Sequence, residues 1–300
     1  MAVLSLDNVV KQYSNHRAVD GVTFDVEEGS IFGLLGPNGA GKTSLIRIIT
    51  TITAADEGTV MINGEPLNSR HPSQIGYLPE ERGLYKKMEV GDQLLFLAQL
   101  KGLEKRDAKK KIDFWFERFE ITDWWTKKVQ ELSKGMQQKI QFISTVVHEP
   151  KLLILDEPFS GLDPINTNLI KDEIYRLNQE GTSIIFSTHR MEQVEEVCED
   201  IVLINQGRVV LNGKVNDIKE TYKENIFRIG YKGSKPSLSS NKYSVISQSN
   251  DDITIQMTAE MGSNELLNDL IRQGVDIDSY NEIKPTINEI FIKKVGETNE

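Results

Sequence analysis

The glycine-rich segment GPNGAGKT at residues 36–43 restricts the possible folds of this chain more than any other segment. It matches the phosphate-loop pattern G-x-x-x-x-G-K-[ST] at every fixed position. The apolar run Ile31–Leu35 before it is typical of a strand buried on both faces, and Lys42–Thr50 after it has a helical pattern. A strand, a tight turn and a helix in this order predict a parallel sheet covered by helices, with an anion held where the helix begins.

The residue types of this segment suit a nucleoside triphosphate and Mg²⁺. Glycines let the backbone wrap tightly and point its N–H groups at the β-phosphate. Lys42 would bridge the β- and γ-phosphates, and the Thr43 hydroxyl would bind Mg²⁺. The alternative is a glycine-rich turn without a ligand, which the strand, the lysine and the threonine in their places disfavour.

Two carboxylates follow a second predicted strand. The run Leu152–Leu155 is apolar throughout, and Asp156 and Glu157 come directly after it. Ligands of parallel sheets bind at the carboxyl ends of the strands. Asp156 would hold the hydration shell of Mg²⁺, and Glu157 would orient or deprotonate the attacking water. Considered alone, the same residues also fit an ordinary strand that ends in a charged turn.

The segment LSKGMQQ at residues 132–138 predicts the start of a helix. Ser133 can act as the N-cap and accept a hydrogen bond from a backbone N–H. The N-terminus of a helix also attracts anions. Simple capping and anion binding are therefore both open interpretations of this segment.

Length, charge and cysteine content exclude several classes of protein. The 300 residues suggest about two domains. The net charge of −10 argues against a general nucleic-acid binder, which needs concentrated Lys and Arg. The single cysteine, Cys198, can form neither an internal disulfide nor a zinc site by itself, which fits a reducing compartment. We expect no secretory signal and no span of the ~18–20 apolar residues that cross a bilayer, so a membrane role would need a partner.

The remaining patterns divide the chain into parts. Alternation over residues 22–26 predicts a strand with one wet face, and residues 91–147 are mostly helical in their spacing of apolar groups. β-rich runs on both sides of Asn205-Gln206-Gly207 predict a hairpin. Composition changes after about Lys219, and the tail of ~80 residues has the α+β character of a small separate domain.

Together, these motifs resemble the nucleotide-binding subunit of ABC transporters, over roughly residues 2–218. A lone phosphate loop occurs in many nucleotide hydrolases, whereas this combination in this order is highly specific. The matching segments are residues 36–43 (Walker A), 132–136 (the LSGGQ signature), 152–157 (Walker B), 160–163 (the D-loop) and His189 (the switch histidine).

The resemblance implies an α/β fold of the P-loop NTPase class. An ABC ATP-binding domain would occupy residues 1–220, with an antiparallel β subdomain and a helical subdomain at about 85–147. A small C-terminal α+β accessory domain would occupy residues 221–300.

The resemblance also implies roles for individual residues in binding and hydrolysing Mg-ATP. Glu157 and His189 would be catalytic, and Thr43, Glu80 and Asp156 would lie on the metal side. The residues expected to bind the nucleotide are Tyr13, Gly36, Pro37, Asn38, Gly39, Ala40, Gly41, Lys42, Thr43, Ser44, Ser133, Gly135 and Asp163.

Two departures from the family pattern concern charged positions. In the signature, Lys134 replaces a glycine and Met136 a glutamine, while Ser133 and Gly135 are kept. In the segment that resembles the Q-loop, Glu80 stands in place of glutamine. A carboxylate there can still reach Mg²⁺ or its waters, but it adds negative charge near the γ-phosphate.

The family mechanism implies a dimer and a membrane partner. One copy cannot close its own signature helix on its own ATP, so two copies would pair head to tail, with Ser133 and Gly135 facing the other copy's γ-phosphate and Asp163 connecting the two sites. The chain would be a cytoplasmic ATPase at the inner face of the membrane, powering export through a separate multi-span permease, without nucleic acid. The alternatives are a regulatory ABC ATPase without a transport role, and a nucleotide-gated binding module with negligible turnover.

Two further segments indicate the branch of the family. LPEERGLY at residues 78–85 and KPTINEIF at residues 284–291 resemble the sodium-efflux (NatA-like) branch of type-2 exporters. Drug and polysaccharide exporters share much of this pattern, so we expect sodium or drug efflux without identifying the cargo.

An aromatic group at residues 114–125 and a basic run at residues 105–111 lie in the expected helical subdomain. Core packing explains most of the aromatic group, although adjacent Trp115 and Phe116 point different ways on a helix, and an exposed remainder would suit docking to a membrane subunit. The basic run fits a solvated helix face, with contact to anionic lipid as the alternative.

Overall fold

The computed structural model describes residues 1–81, 83–233, 236, 242–258 and 262–298. Arg82, within the segment that resembles the sodium-efflux branch, lies outside the described residues. The chain divides into two compact units, Met1–Lys214 and Val215–Glu300. Within the described residues, no helix combines the length and the apolar character that crossing a bilayer requires.

The first unit combines two sheets with helices. Its strands are β1 (Ala2–Tyr13), β2 (His16–Glu27), β3 (Ile31–Leu35), β4 (Glu57–Ile62), β5 (Glu65–Pro66), β6 (Ile75–Leu78), β7 (Leu152–Asp156), β8 (Ser183–Thr188), β9 (Asp200–Asn205) and β10 (Arg208–Lys214). Its α-helices are α1 (Lys42–Ile49), α2 (Val90–Leu100), α3 (Lys105–Arg118), α4 (Lys134–Val146), α5 (Pro164–Gln179) and α6 (Met191–Val197).

The larger sheet has six strands in the order β10-β9-β3-β8-β7-β6. All of its pairings are parallel except that of β10 with β9. Every residue of β3, β7 and β8 is buried, which explains why these strands are continuous apolar runs. The predicted α/β fold is confirmed, and the carboxyl ends of these three strands carry the candidate site.

The smaller sheet is antiparallel, in the order β2-β1-β4-β5. In β2, Val22, Phe24 and Val26 are buried while the residues between them are exposed, as their alternation predicts. These side chains join α1 and β3 in one apolar core, so the helix that follows the glycine-rich loop is held from both sheets.

The predicted hairpin joins β9 to β10. Asn205 pairs with Arg208, which leaves a two-residue turn. The φ angles of that turn are 48° at Gln206 and 79° at Gly207. Two positive φ angles in a two-residue loop match the twist of the flanking strands, and the glycine at the second position adopts its angle without strain.

The helices α2, α3 and α4 bury most of the aromatic group. Trp115 packs on Phe142 with ring centroids 6.0 Å apart, and Phe116 packs on Trp125 at 5.5 Å. Trp115 and Phe116 point different ways on α3, and both are buried because the helix is covered on two sides. Phe114 is the exposed member, at 50% of its surface.

The second unit has α+β structure, as its composition predicts. Its elements are α7 (Val215–Thr221), β11 (Ile226–Lys232), β12 (Tyr243–Gln248), β13 (Asp252–Met257), α8 (Ser263–Arg272), β14 (Asp276–Ile283) and α9 (Ile287–Thr298). The four strands form an antiparallel sheet in the order β12-β13-β11-β14. Ile229, Ile253 and Ile255 of the sheet and Leu266 and Leu270 of α8 form its own apolar core.

Candidate functional site

The glycine-rich loop between β3 and α1 adopts a backbone that needs glycine at two positions. Gly36 has a φ of 151°, and a Cβ there would lie 2.2 Å from the carbonyl oxygen of Ile204. Gly41 has a φ of 111°, and a Cβ there would lie 2.2 Å from the carbonyl oxygen of Ala18. Because backbone atoms cannot yield as a flexible side chain can, any larger residue would displace the loop. The loop therefore presents bare backbone at the N-terminus of α1.

Lys42, the first residue of α1, extends back along the loop. Its ammonium group donates to the carbonyl oxygens of Gly36 at 2.6 Å and Pro37 at 3.1 Å. Burial lowers the pKa of Lys42, and the charges of Glu157, Asp156 and Glu80 oppose that shift. A largely desolvated cation that is held by neutral carbonyls is suited to an anionic ligand, which would be attracted to it more strongly than the carbonyls are.

Asp156 ends β7 and is buried beside β8. The hydroxyl of Ser187 donates to its carboxylate at 2.7 Å. Burial raises the pKa of Asp156; the hydrogen bond from Ser187 is the largest opposing influence, and the neighbouring charge of Glu157 adds to the rise. A cation beside this carboxylate would favour its ionised form.

Glu157 and His189 form a hydrogen-bonded pair at the ends of β7 and β8. Glu157 has a φ of 51°, an uncommon angle for a residue with a side chain. Its carboxylate accepts from the backbone N–H of His189 at 2.8 Å and from the hydroxyl of Thr188 at 3.1 Å. Nδ1 of His189 lies 2.6 Å from the same carboxylate. A carboxylate can only accept, so this hydrogen bond requires the proton to be on Nδ1.

These elements enclose a cavity of about 240 Å³. Its lining combines the glycine-rich loop, the carboxylates at the end of β7 and after β6, and residues from β1 and β2. The lining residues are Tyr13, His16, Ala18, Asn38, Gly39, Ala40, Gly41, Lys42, Thr43, Ser44, Glu80, Asp156 and Glu157. Most of the predicted site residues therefore line one cavity. Gly36 and Pro37 contact Lys42 through their carbonyl oxygens, and His189 contacts the cavity residue Glu157.

Sequence reasoning missed His16 and Ala18. Long-range contacts place their strand beside the loop, and no local sequence pattern predicts them. The backbone N–H of Asp20 donates to the carbonyl of Gly207 at 2.8 Å, and the N–H of Gly207 donates to the carbonyl of Ala40 in the loop at 2.8 Å. The one available signal was Tyr13, because Tyr13 pairs with His16 across the tight turn between β1 and β2.

Three predicted residues lie elsewhere in the chain. The described residues that line the cavity do not include Ser133, Gly135 or Asp163. Ser133 is the N-cap of α4, and its hydroxyl accepts from the backbone N–H of Met136 at 3.3 Å. Asp163 is the N-cap of α5, and the hydrogen bond from the backbone N–H of Asn166 lowers its pKa.

The donor set fits Mg²⁺ that arrives with a nucleotide. The part of the chain that the structure describes holds no cluster of three or more Asp, Glu, His or Cys side chains able to bind a metal ion. The cavity instead offers the carboxylates of Asp156 and Glu80 and the hydroxyl of Thr43. Mg²⁺ in phosphate-transferring sites uses one or two carboxylates together with substrate phosphates, which is the set available here.

Both units match known families. Residues 19–160 match the family model described as ABC transporter, and residues 213–295 match the model described as ATP-binding protein DrrA1-3-like, C-terminal domain. The chain is 46% identical over 295 residues to an uncharacterised ABC transporter ATP-binding protein of Bacillus subtilis strain 168, YhaQ, covering 98% of this chain and 99% of that protein.

Two further relatives from the same organism carry more specific names. The linearmycin resistance ATP-binding protein LnrL is 33% identical over 219 residues, which cover 72% of this chain and 70% of LnrL. The ABC transporter ATP-binding protein NatA is 32% identical over 211 residues, which cover 68% of this chain and 85% of NatA. Among solved structures, the ATP-binding subunit of an ABC transporter matches with a TM-score of 0.69 and 29% identity, over 73% of this chain and 93% of that one.

Proposed function

The chain belongs to the ABC transporter ATP-binding proteins, and from that premise we propose that it powers export through a separate membrane permease. The protein binds nucleotide and is an ATPase, as its family is. The convergence of Lys42, Asp156 and Glu157 on one cavity at the carboxyl ends of parallel strands carries the ATPase part of this proposal, and the relatives carry the export part.

We assign the hydrolytic roles from the hydrogen bonds of the site. Glu157 is the base that orients and deprotonates the attacking water, since its carboxylate is fixed by Thr188 and His189 on the cavity wall. His189 positions Glu157 through Nδ1 and presents Nε2 to the γ-phosphate. Lys42 and the backbone of the glycine-rich loop hold the β- and γ-phosphates, and Tyr13 stacks on the adenine.

Thr43, Asp156 and Glu80 are the residues that would hold Mg²⁺ with the nucleotide. The ion supplies neutralisation of the charge that develops on the β- and γ-phosphates. The hydroxyl of Ser187 holds the Asp156 carboxylate in place for such an ion, while Glu80 reaches the cavity from the loop after β6.

The composite site needs two copies of the chain. Ser133 and Gly135 are at the N-terminal end of α4, and neither lines the cavity of its own chain. A head-to-tail dimer would place them against the γ-phosphate bound by the other copy, where the positive end of the helix and the added charge of Lys134 favour an anion. ATP then joins the copies, and its hydrolysis releases them.

Export is the transport direction that the relatives support. The name of LnrL refers to resistance to linearmycin, which fits export of a drug. The segments at residues 78–85 and 284–291 resemble the sodium-efflux branch of type-2 exporters. We place this chain at the inner face of the cell membrane, bound to a multi-span permease, with sodium or a drug as the cargo class.

Purification tests this proposal. The chain, expressed in its native cells with an affinity tag and extracted from their membranes in detergent, is expected to co-purify with a multi-span permease and to hydrolyse ATP. A chain that hydrolyses ATP but is recovered without any multi-span protein would instead favour a regulatory ATPase. A chain that binds ATP without steady turnover would contradict the ATPase assignment.

A further inference from the structure

Helix α4 carries two buried glutamines whose side chains form hydrogen bonds with loops outside the helix. Gln138 and Gln141 are three residues apart, so they lie on the same face one turn apart. Gln138 is 5% exposed and Gln141 is 4% exposed. Uncharged amides in such positions need hydrogen-bond partners, and each glutamine finds carbonyl oxygens on a loop of the nucleotide site.

Gln141 holds the loop that carries Glu80. Its Nε2 donates to the carbonyl oxygen of Pro79 at 3.0 Å and to that of Glu81 at 3.3 Å. One amide group therefore fixes the backbone on both sides of Glu80, whose side chain lines the cavity. The position of Glu80 relative to α4 depends on these two hydrogen bonds.

Half of the Gln141 amide is unsatisfied. Its Oε1 is buried and has no hydrogen-bond partner among the residues that the structure describes. A buried acceptor without a partner is unfavourable, and leucine would fill a similar volume without that penalty. The donating half of the amide is therefore what this position requires.

Gln138 makes the corresponding contact with the loop that follows the other carboxylate, Glu157. Its Nε2 donates to the carbonyl oxygen of Pro158 at 3.2 Å, directly after Glu157. The helix that begins at Ser133 is thus hydrogen-bonded to the loops of both Glu80 and Glu157. Ser133 and Gly135, at the end of α4 that would meet the second copy, share a rigid element with both contacts.

We infer that Gln141 is a positioning residue for ATP hydrolysis, which transmits the placement of α4 to Glu80. It touches neither nucleotide nor metal in this role, and it acts by fixing the carbonyls of Pro79 and Glu81. When the second copy draws α4 into place, Gln141 brings the Glu80 loop with it. This inference rests on the proposed metal-side role of Glu80.

The first test replaces the donor while keeping the size of the side chain. Gln141→Glu has no N–H to donate and places a carboxylate against two carbonyl oxygens. We expect kcat to fall about 10-fold, the scale of one lost hydrogen bond in the transition state. The KM for ATP should stay within about twofold, because the glycine-rich loop is untouched, and the Mg²⁺ concentration for half-maximal rate should rise. Gln141→Leu, which also lacks a donor but adds no charge, should behave alike.

The matched control is Ser144→Ala. Ser144 is on the same helix, and its hydroxyl donates within the helix, to the carbonyl of Gln141 at 2.7 Å. The kcat and the Mg²⁺ requirement of the Ser144→Ala variant should equal those of the parent protein. Rates are expressed per nucleotide-binding site titrated, so that a partly unfolded preparation does not imitate a slower enzyme.

A double-mutant cycle with Glu80→Ala separates positioning from general support of the fold. In the Glu80→Ala background, Gln141→Glu should change kcat by less than about twofold, because the carboxylate that it positions is gone. An equal loss in both backgrounds, or no loss in the parent, would overturn the inference while leaving the proposed function intact. If Glu80→Ala itself changes neither kcat nor the Mg²⁺ requirement, the metal-side role of Glu80 fails and this inference fails with it.

Discussion

The change Glu157→Gln removes a negative charge and a proton acceptor but almost no volume. The carboxylate of Glu157 accepts from His189 N–H at 2.8 Å and from the Thr188 hydroxyl at 3.1 Å, and His189 Nδ1 lies 2.6 Å away. The amide oxygen of glutamine can still accept from both groups of His189. Its NH₂ group then faces the hydroxyl of Thr188, which can accept. We therefore expect the fold and the cavity to survive the change.

Hydrolysis should fall steeply because the amide cannot take a proton from water. Loss of a general base reduces rates by ~10²–10⁴-fold. At about 1.36 kcal/mol for each factor of ten, the barrier rises by about 2.7–5.4 kcal/mol. ATP affinity should be kept, because Lys42 and the glycine-rich loop are unchanged. The variant should consequently accumulate as an ATP-bound dimer.

Three measurements on the parent and the variant check this. Phosphate release gives the rate, nucleotide titration gives the affinity, and size-exclusion chromatography with Mg-ATP gives the oligomeric state. Parental hydrolysis by Glu157→Gln would show that Glu157 is not the base. A slow variant that stays monomeric with ATP would support Glu157 as the base but contradict the proposed ATP-bound dimer.

Other changes test separate parts of the site and the fold. Lys42→Ala should weaken ATP binding about 10- to 100-fold or more, because it removes charged hydrogen bonds to phosphate, and unchanged affinity in a nucleotide titration would refute the phosphate-loop assignment. Glu80→Gln should lower the Mg²⁺-dependent rate and raise the Mg²⁺ requirement, whereas identical Mg²⁺ titration curves would make Glu80 structural. Burial, with Lys101 and Lys111 nearby, lowers the pKa of His148 from 6.5 to about 4, so the unfolded chain binds a proton between those values that the folded chain does not. Stability to urea should therefore fall by about 1–2 kcal/mol from about pH 7 to about pH 5, and His148→Gln should remove that part of the slope; an unaltered slope would exclude His148 as its source.

Local patterns predict the parts of this fold that are made locally. The loop at residues 36–43 is recognisable because its glycines, lysine and threonine stand at fixed spacing between a strand and a helix. The buried strands β3, β7 and β8 are visible as apolar runs because both of their faces are covered. The hairpin at Gln206-Gly207 follows from turn chemistry alone.

Features made by long-range approach are not visible in the sequence. His16 and Ala18 line the cavity because β2 is drawn against Gly41 and Gly207, far away in the chain. Trp115 and Phe116 are both buried because Phe142 covers one of them and Trp125 the other. The spacing of apolar residues along a helix predicts only one buried face. Gln141 has no motif at all, and only the folded chain shows that its amide spans the two carbonyls beside Glu80.

The shared site can be observed in the structure of the Glu157→Gln protein with bound Mg-ATP. We expect two copies head to tail, with Ser133 and Gly135 of each copy within hydrogen-bonding reach of the γ-phosphate held at residues 36–43 of the other. A nucleotide-loaded structure in which the N-terminus of α4 lies far from any phosphate of a second copy would contradict it.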